Sequence, residues 1–270
     1  MLGVKIQGRL GNQLFQYAYA KVLSRKYNTP FFLLNRKDFY ADKYFTIKAD
    51  TPLQNRWKAI VFYVKNGGFP KVIVEDQFAQ PNTNINHESD NAIYDGFYQS
   101  ASYHHSQMQS ELKQELTIKP AYQIHIKDFV QNEKPTIVVH VRRTDYVTFG
   151  GDHVGGINLT LPLSYYEQAL NQLPTATSNV LFLSDDIEFV KDNFHFANAL
   201  YAEKNSEIVD FQLILQADYL VLANSSFSWW GAYLNTTVQK VIAPKYWLGL
   251  KIHKEYPAGI VHPDWITIPS

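Results

Sequence analysis

The chain has 270 residues, enough to bury a sizeable core in one large domain or two small ones. Its 25 Lys and Arg balance 25 Asp and Glu, and 46% hydrophobic against 19% charged residues is a globular mixture. That excludes intrinsic disorder and a dominant basic surface for nucleic acid or anionic lipid, while leaving room for a local basic site. There is no cysteine, which excludes disulfides, thiolate nucleophiles and Cys-ligated zinc and suits a reducing compartment.

Taken in chain order, the N-terminal MLGVKIQGRLGNQ lacks the apolar core of a signal peptide, and no run approaches the roughly 18 apolar residues of a membrane span. The expectation is a soluble cytoplasmic protein without an integral membrane segment. VKIQ (4–7) reads as a strand, followed by GRLGNQLFQYAYAKVLSRKY (8–27), a helix that begins on two glycines and a cluster of polar residues. Gly8 and Gly11 fit a tight strand-to-helix turn, and Leu14, Tyr17 or Ala18, and Lys21 or Val22 lie along neighbouring helical rows that suit a core. PFFLLN (30–35) is a second strand. Residues 36–90 are less regular and include KNGGFP (65–70) and the polar run QPNTNINHESDN (80–91). AIYDGF (92–97) reads as a strand and SQMQSELKQEL (106–116) as a helix.

The turn-rich stretch near 130–135 is the best domain boundary. Beyond it TIVVHV (136–141), NVLFLS (179–184), YLVLAN (219–224) and KVIAP (240–244) read as strands. They alternate with helical patterns at 164–173, 186–194, 207–217 and 227–235. Such alternation predicts an α/β fold with parallel sheets and crossover helices, in two Rossmann-like halves facing a cleft. Ligands in such sheets sit at the carboxyl ends of strands.

Three strand ends carry chemistry. In HVRRTDYV (140–147), strand alternation puts His140 and Arg142 on one face and Arg143 on the other, and a planar, always-charged guanidinium suits phosphate oxygens. Asp145 is placed to orient an arginine or to accept from a ligand; an Arg–Asp pair pinning a loop is the competing reading. In NSSFSWWGAYLN (224–235), Ser225, Ser226 and Ser228 lie at a helix start, as plain N-caps or as an anion cradle. Trp229 and Trp230 are expected to pack. In FLSDDIEF (182–189), Asp185 and Asp186 open a helix; capping, magnesium binding with a diphosphate, or hydrogen bonding to a base edge all fit. No Walker P-loop, GxGxxG fingerprint, HExxH or Gly-x-Ser-x-Gly elbow is present, and His104–His105 reads as solvated.

Taken together, GRLGNQLFQYA, HVRRTDYV, FLSDDIEF and NSSFSWWGAYLN resemble the α-1,2-fucosyltransferases of glycosyltransferase family 11, in the family's order and spanning roughly residues 6–245. HVRRTD alone is similar to a motif shared with α-1,6- and protein O-fucosyltransferases. The resemblance implies a GT-B fold, with residues 1–132 as the acceptor-side domain and 133–270 as the GDP-fucose domain. It implies inverting transfer of L-fucose from GDP-fucose to the 2-hydroxyl of a terminal galactose, with no metal and no cofactor. Carried over residue by residue, Arg142 stabilises the departing diphosphate, His140 contacts the nucleotide, and Arg143 and Asp145 support. Ser225, Ser226 and Phe227 match the phosphate-holding turn, and Asp185, ahead of Asp186, reads the guanine edge.

Gly8, Arg9, Gly11, Asn12 and Gln13 become the N-terminal lip of the site, with Asn12 the first choice and counted with Arg142 and Asp145 among the catalytic candidates. The general base is unassigned; Asp145, Asp152 and His153, the last two in the flexible Gly-rich loop 148–156, are candidates. The alternatives are a fucosyltransferase of another linkage and a non-catalytic nucleotide-sugar or glycan-binding protein. The expected partners are GDP-fucose and a galactose-terminated glycan, with no nucleic acid; neither the acceptor beyond galactose nor the oligomeric state is legible.

Overall fold

The computed structural model of the chain describes residues 1–47, 50–78, 88–103, 106–130, 132–196 and 198–270. His104–His105 and most of the polar run 80–91 lie outside the described residues. The chain divides into two compact units, Met1–Lys119 with Pro257–Ile260, and Pro120–Tyr256 with Val261–Ser270.

In the first unit, β1 (Leu2–Lys5), β2 (Phe31–Leu34), β3 (Val72–Val74) and β4 (Ile93–Asp95) form a wholly parallel sheet in the order β2-β1-β4-β3. The long helix α1 (Leu10–Lys26) returns the chain from β1 to β2. β1 stands two residues earlier than the apolar pattern suggests, because the Gln7 backbone N–H leaves the ladder and donates to the Gln16 side chain. A second helix, α2 (Pro52–Lys65), fills the stretch that reads as irregular. It starts on a capping box in which the Thr51 hydroxyl accepts from Gln54 N–H and the Gln54 side chain accepts from Thr51 N–H, with Pro52 at the first helical position. Phe62 from α2 packs on Phe32 and Ile93 on one sheet face. On the other, Tyr19 of α1 stacks on Tyr98 with centroids 4.1 Å apart and meets Tyr94 edge-on. Helix α3 (Ser106–Glu115) ties to α1 through the Arg25–Glu111 and Lys21–Glu115 ion pairs.

The second unit is built on six parallel strands: β5 (Thr136–Val141), β6 (Asn179–Ser184), β7 (Ala199–Tyr201), β8 (Tyr219–Val221), β9 (Lys240–Pro244) and β10 (Ile266–Ile268). Their spatial order is β10-β9-β8-β5-β6-β7. Both faces are covered, so the central strands read as unbroken apolar runs. Ile137, Val139 and Val141 face Tyr165, Tyr166 and Leu170, carried by α4 (Leu163–Leu170). Val138 faces the opposite layer with Leu213 and Ile214 of α6 (Glu207–Leu215) and Ala232 of α7 (Ser226–Leu234). Between β6 and β7 runs α5 (Ile187–Asn193). Gly231 lets α7 close on α6: a Cβ there would stand 2.5 Å from Ile214 Cγ2. Trp229 and Trp230 are fully buried, as packing residues should be.

The break between the units falls at 119/120 rather than 132/133. Residues 120–130 belong to the second unit because two glutamines of its helical layer serve them as a surrogate strand. Gln212 accepts from Ile124 N–H and donates to Tyr122 O, and Gln216 accepts from Ile126 N–H and donates to Ile124 O.

Candidate active site

Strand order brings three of the sequence blocks together. β8, β5 and β6 are neighbours, so 224–228, 140–147 and 184–189 all emerge at the carboxyl edge of one parallel sheet. At its centre Arg142, just beyond β5 and largely buried, is held by two carboxylates. Nη1 lies 2.9 Å from Asp185 Oδ2, and Nη2 lies 2.6 Å from Asp145 Oδ2. Asp185 also accepts from Arg143 N–H at 2.9 Å and from the Thr144 hydroxyl. Burial pushes the Asp185 carboxyl up, but Thr144, Arg142 and the Arg143 amide together hold it below the usual range. Both oxygens of Asp185 are engaged by the loop that carries Arg142, so the carboxylate orients that loop.

Arg143 diverges from Arg142. Its Nε meets Asp186 Oδ2 at 3.1 Å and its guanidinium lies 3.3 Å from the Phe189 ring centroid. Asp186 in turn caps α5 by accepting from Phe189 N–H. The capping reading of the acidic pair therefore holds for Asp186, while Asp185 organises the neighbouring loop. Among the described residues no group of three or more His, Asp or Glu side chains is arranged to hold a metal ion.

His140, the penultimate residue of β5, is buried beside Phe227, with ring centroids 5.8 Å apart. Burial, reinforced by the Arg142 charge and only partly opposed by Asp185, pulls its pKa down to about 4, so the imidazole is neutral at physiological pH. Its Nδ1 is buried without a hydrogen-bond partner among the described residues. Tyr146, which lies 5.7 Å from the Arg142 guanidinium, donates its hydroxyl to Asn224 O and so fastens the arginine loop to the start of α7. Asn224 is itself anchored to Leu159 O.

Ser225 occupies the N-cap of α7 in extended backbone, yet its hydroxyl makes no capping bond. Ser228 turns its hydroxyl back to Ala223 O and Ser225 O. Ser226 and Phe227 form the first turn of the helix. The Gly-rich segment expected to be flexible is an antiparallel ladder, Gly150↔Ile157 and Gly151↔Gly156, closed by a turn with Val154 buried. It leaves Asp152 and His153 exposed.

In the first unit, Gly8 has φ +75, and the Asn12 side chain stands where a Cβ would be, with Nδ2 at 2.4 Å. The glycine is thus required by a neighbouring side chain of the same turn. Asn12 accepts from Gln99 Nε2 at 2.7 Å. Gln13, 1% exposed, donates to Gly8 O and Asp38 O and accepts from Tyr40 N–H. Both amide hydrogens and the carbonyl serve the backbone, so Gln13 clamps the turn. Gln16, which sequence reasoning missed, is a second clamp joining Gln7 N–H to Gly96 O. Gly11 is buried within the first turn of α1. Arg9 stands exposed at the N-cap of α1, with no ion pair among the described residues. The signal for the other residues missed, Thr144, Tyr146 and Asn224, lay in the same motif blocks: each is polar and within a few residues of a strand end.

With its two parallel α/β units the chain is of GT-B type. In that fold it matches the fucosyltransferase NodZ from Bradyrhizobium with a TM-score of 0.56 at 11% identity, over 89% of this chain and 94% of NodZ. Residues 1–269 match glycosyl transferase family 11, and the chain belongs to that family. It is 27% identical to the O-antigen biosynthesis glycosyltransferase WbnK of Escherichia coli, over 90% of this chain and 93% of WbnK. An Escherichia coli alpha-1,2-colitosyltransferase is 28% identical over 90% of this chain and 91% of its own length. The galactoside alpha-(1,2)-fucosyltransferase 2 of Bos taurus is 27% identical over 62% of this chain and 52% of the bovine protein. Among the described residues no helix is long and apolar enough to cross a membrane.

Proposed function

We propose that this protein transfers L-fucose from GDP-β-L-fucose to the 2-hydroxyl of a terminal galactose, inverting the anomeric centre and forming an α-1,2 bond without a metal ion or cofactor. The observation that carries the reading is Arg142, fixed from one side by Asp185 and touched on the other by the exposed carboxylate of Asp145. A diphosphate displaces Asp145 from Nη2 more readily than it displaces the half-buried, multiply bonded Asp185. The guanidinium then neutralises the charge that grows on the leaving oxygen as the C1–O bond breaks. The acceptor oxygen bonds to C1, GDP departs, and the acceptor proton passes to a base, for which Asp145 freed from Arg142 is one candidate.

Neutral His140 offers the nucleotide a hydrogen-bonding group whose Nδ1 has no partner among the described residues. The uncapped first turn of α7, Ser225 to Phe227, supplies backbone N–H groups suited to phosphate. In the first unit, Gly8 and Gly11 shape the turn that carries Arg9 and Asn12. The absence of cysteine favours a cytoplasmic setting.

A second reading concerns the sugar: the colitosyltransferase relative matches as well as the others, which makes GDP-colitose the alternative donor. The test is incubation with GDP-fucose or GDP-colitose and galactosides of GlcNAc, GalNAc and glucose, with EDTA present, followed by linkage analysis. Transfer from GDP-fucose giving an α-1,2 product in EDTA is expected. A product without that bond, or loss of transfer on chelation, overturns the assignment.

A further inference from the structure

We infer that the outer face of α2, together with the edge strand β3, docks on an anionic lipid bilayer. α2 is apolar on two opposite sides. Phe62 and Ala59 face the sheet, whereas Leu53, Trp57, Ile60 and Val64 recur at helical spacing on the far side. These are not marginal exposures: Leu53 is 65%, Trp57 60% and Val64 74% accessible, and Phe69 in the turn after the helix reaches 91%.

The strand register extends the patch. Val72 pairs with Ile93, whose side chain lies on the α2 side of the sheet, so Val72 and Val74 point to that same side. Both are exposed, while Ile73 between them is buried. An edge strand is ordinarily blunted with charge; this one shows two valines on the side of an exposed Trp and Phe.

Charge selects the occupant. From Thr51 to Val74 the chain holds Arg56, Lys58, Lys65 and Lys71 and no acidic residue, while the whole chain is neutral, so the remainder is net negative. Lys58 is tied back to Asp50, leaving Arg56 and Lys65 exposed on opposite flanks of the apolar stripe. An apolar stripe bordered by cations, with a tryptophan near its centre, suits a helix lying in the headgroup layer of an acidic membrane.

The experiment is vesicle flotation of the full chain with phosphatidylcholine alone or with equal parts phosphatidylcholine and phosphatidylglycerol. Binding to the anionic vesicles, reduced by high salt, is expected. Arg56→Gln with Lys65→Gln should weaken it on the order of 30-fold. Trp57 is the exposed one of the five tryptophans, so its emission should shift to the blue on binding, and Trp57→Phe should abolish the shift. Trp57→Ser with Phe69→Ser should abolish flotation with the thermal unfolding midpoint unchanged, which separates docking from folding. Equal flotation with both vesicle types, or none with either, overturns the inference. So does a dimer in light scattering that the same two serines dissolve, which would assign the face to a second copy.

Discussion

Arg142 and Asp185 leave the ends of different strands, 43 positions apart in the chain, yet meet at 2.9 Å because β5 and β6 are sheet neighbours in parallel register from Thr136↔Asn179 to Val141↔Ser184. The aspartate receives two further donors from the arginine's own loop, so the guanidinium is oriented before any ligand arrives. Orientation in advance is what an electrostatic catalyst requires.

Replacing Arg142 should therefore remove transfer rather than folding. Arg142→Ala is expected to lower kcat on the order of 10²–10³-fold. Arg142→Lys should recover little of it, because an ammonium cannot occupy both Nη positions at once. Steady-state kinetics with GDP-fucose, with circular dichroism as the control, decides this. Near-full activity in either variant would sink the assignment.

Asp185→Asn should cost stability as well as rate, about 1–3 kcal/mol at neutral pH, since it removes a charged acceptor for three donors. The Asp185 carboxyl titrates below its unfolded value, so its contribution is present above about pH 4 and disappears as pH falls through the lower folded value. Urea melts of wild type and variant should converge in acid. A gap that persists unchanged at pH 2–3 contradicts the linkage.

His140 has the same sign for a different reason. Burial lowers its pKa from 6.5 to about 4, so the stability it confers as a neutral imidazole is complete above pH 6.5 and lost as pH falls toward 4. Its imidazole C–H resonances should stay constant from pH 8 to 5. A titration midpoint near 6.5 would show that the ring is solvated.

The first-unit block separates into two roles. Gln13→Ala should destabilise the protein by about 1–3 kcal/mol, because it removes the partner of a part-buried backbone N–H and of two carbonyls. Arg9→Ala, at an exposed position, should leave stability within about 0.5 kcal/mol of wild type in the same chemical denaturation.

Gly231→Ala tests the α6–α7 contact. A methyl 2.5 Å from Ile214 Cγ2 overpacks the interface, at a cost of about 1–3 kcal/mol. Ile214→Ala in the same chain should make the pair less than additive, as read from chemical denaturation.

The sequence was most legible where strands are buried on both faces. TIVVHV, NVLFLS and KVIAP coincide with β5, β6 and β9 because a strand covered on both faces shows as a short, nearly continuous apolar run. The short strands β3, β7 and β10 and the helix α2 escaped. α2 carries apolar residues on opposite sides, so no single stripe marks it, although its Thr-Pro-Leu-Gln capping box was there to be read. The start of the second unit was placed late because Gln212 and Gln216 reach it from some 90 residues away.

By itself the sequence determined the α/β alternation, the family and the blocks that carry polar chemistry, because these depend on local periodicity and on residue type. Only the tertiary structure decided what each polar group does. Hydrogen-bond capacity is finite, and which donors reach a side chain depends on strand order and register. Asp185 became the orienter of Arg142, Asp186 a cap with an arginine partner, and Gln13 a clamp for a glycine turn. Arg9 was left exposed without an ion pair among the described residues, a distinction that spacing along the chain does not contain.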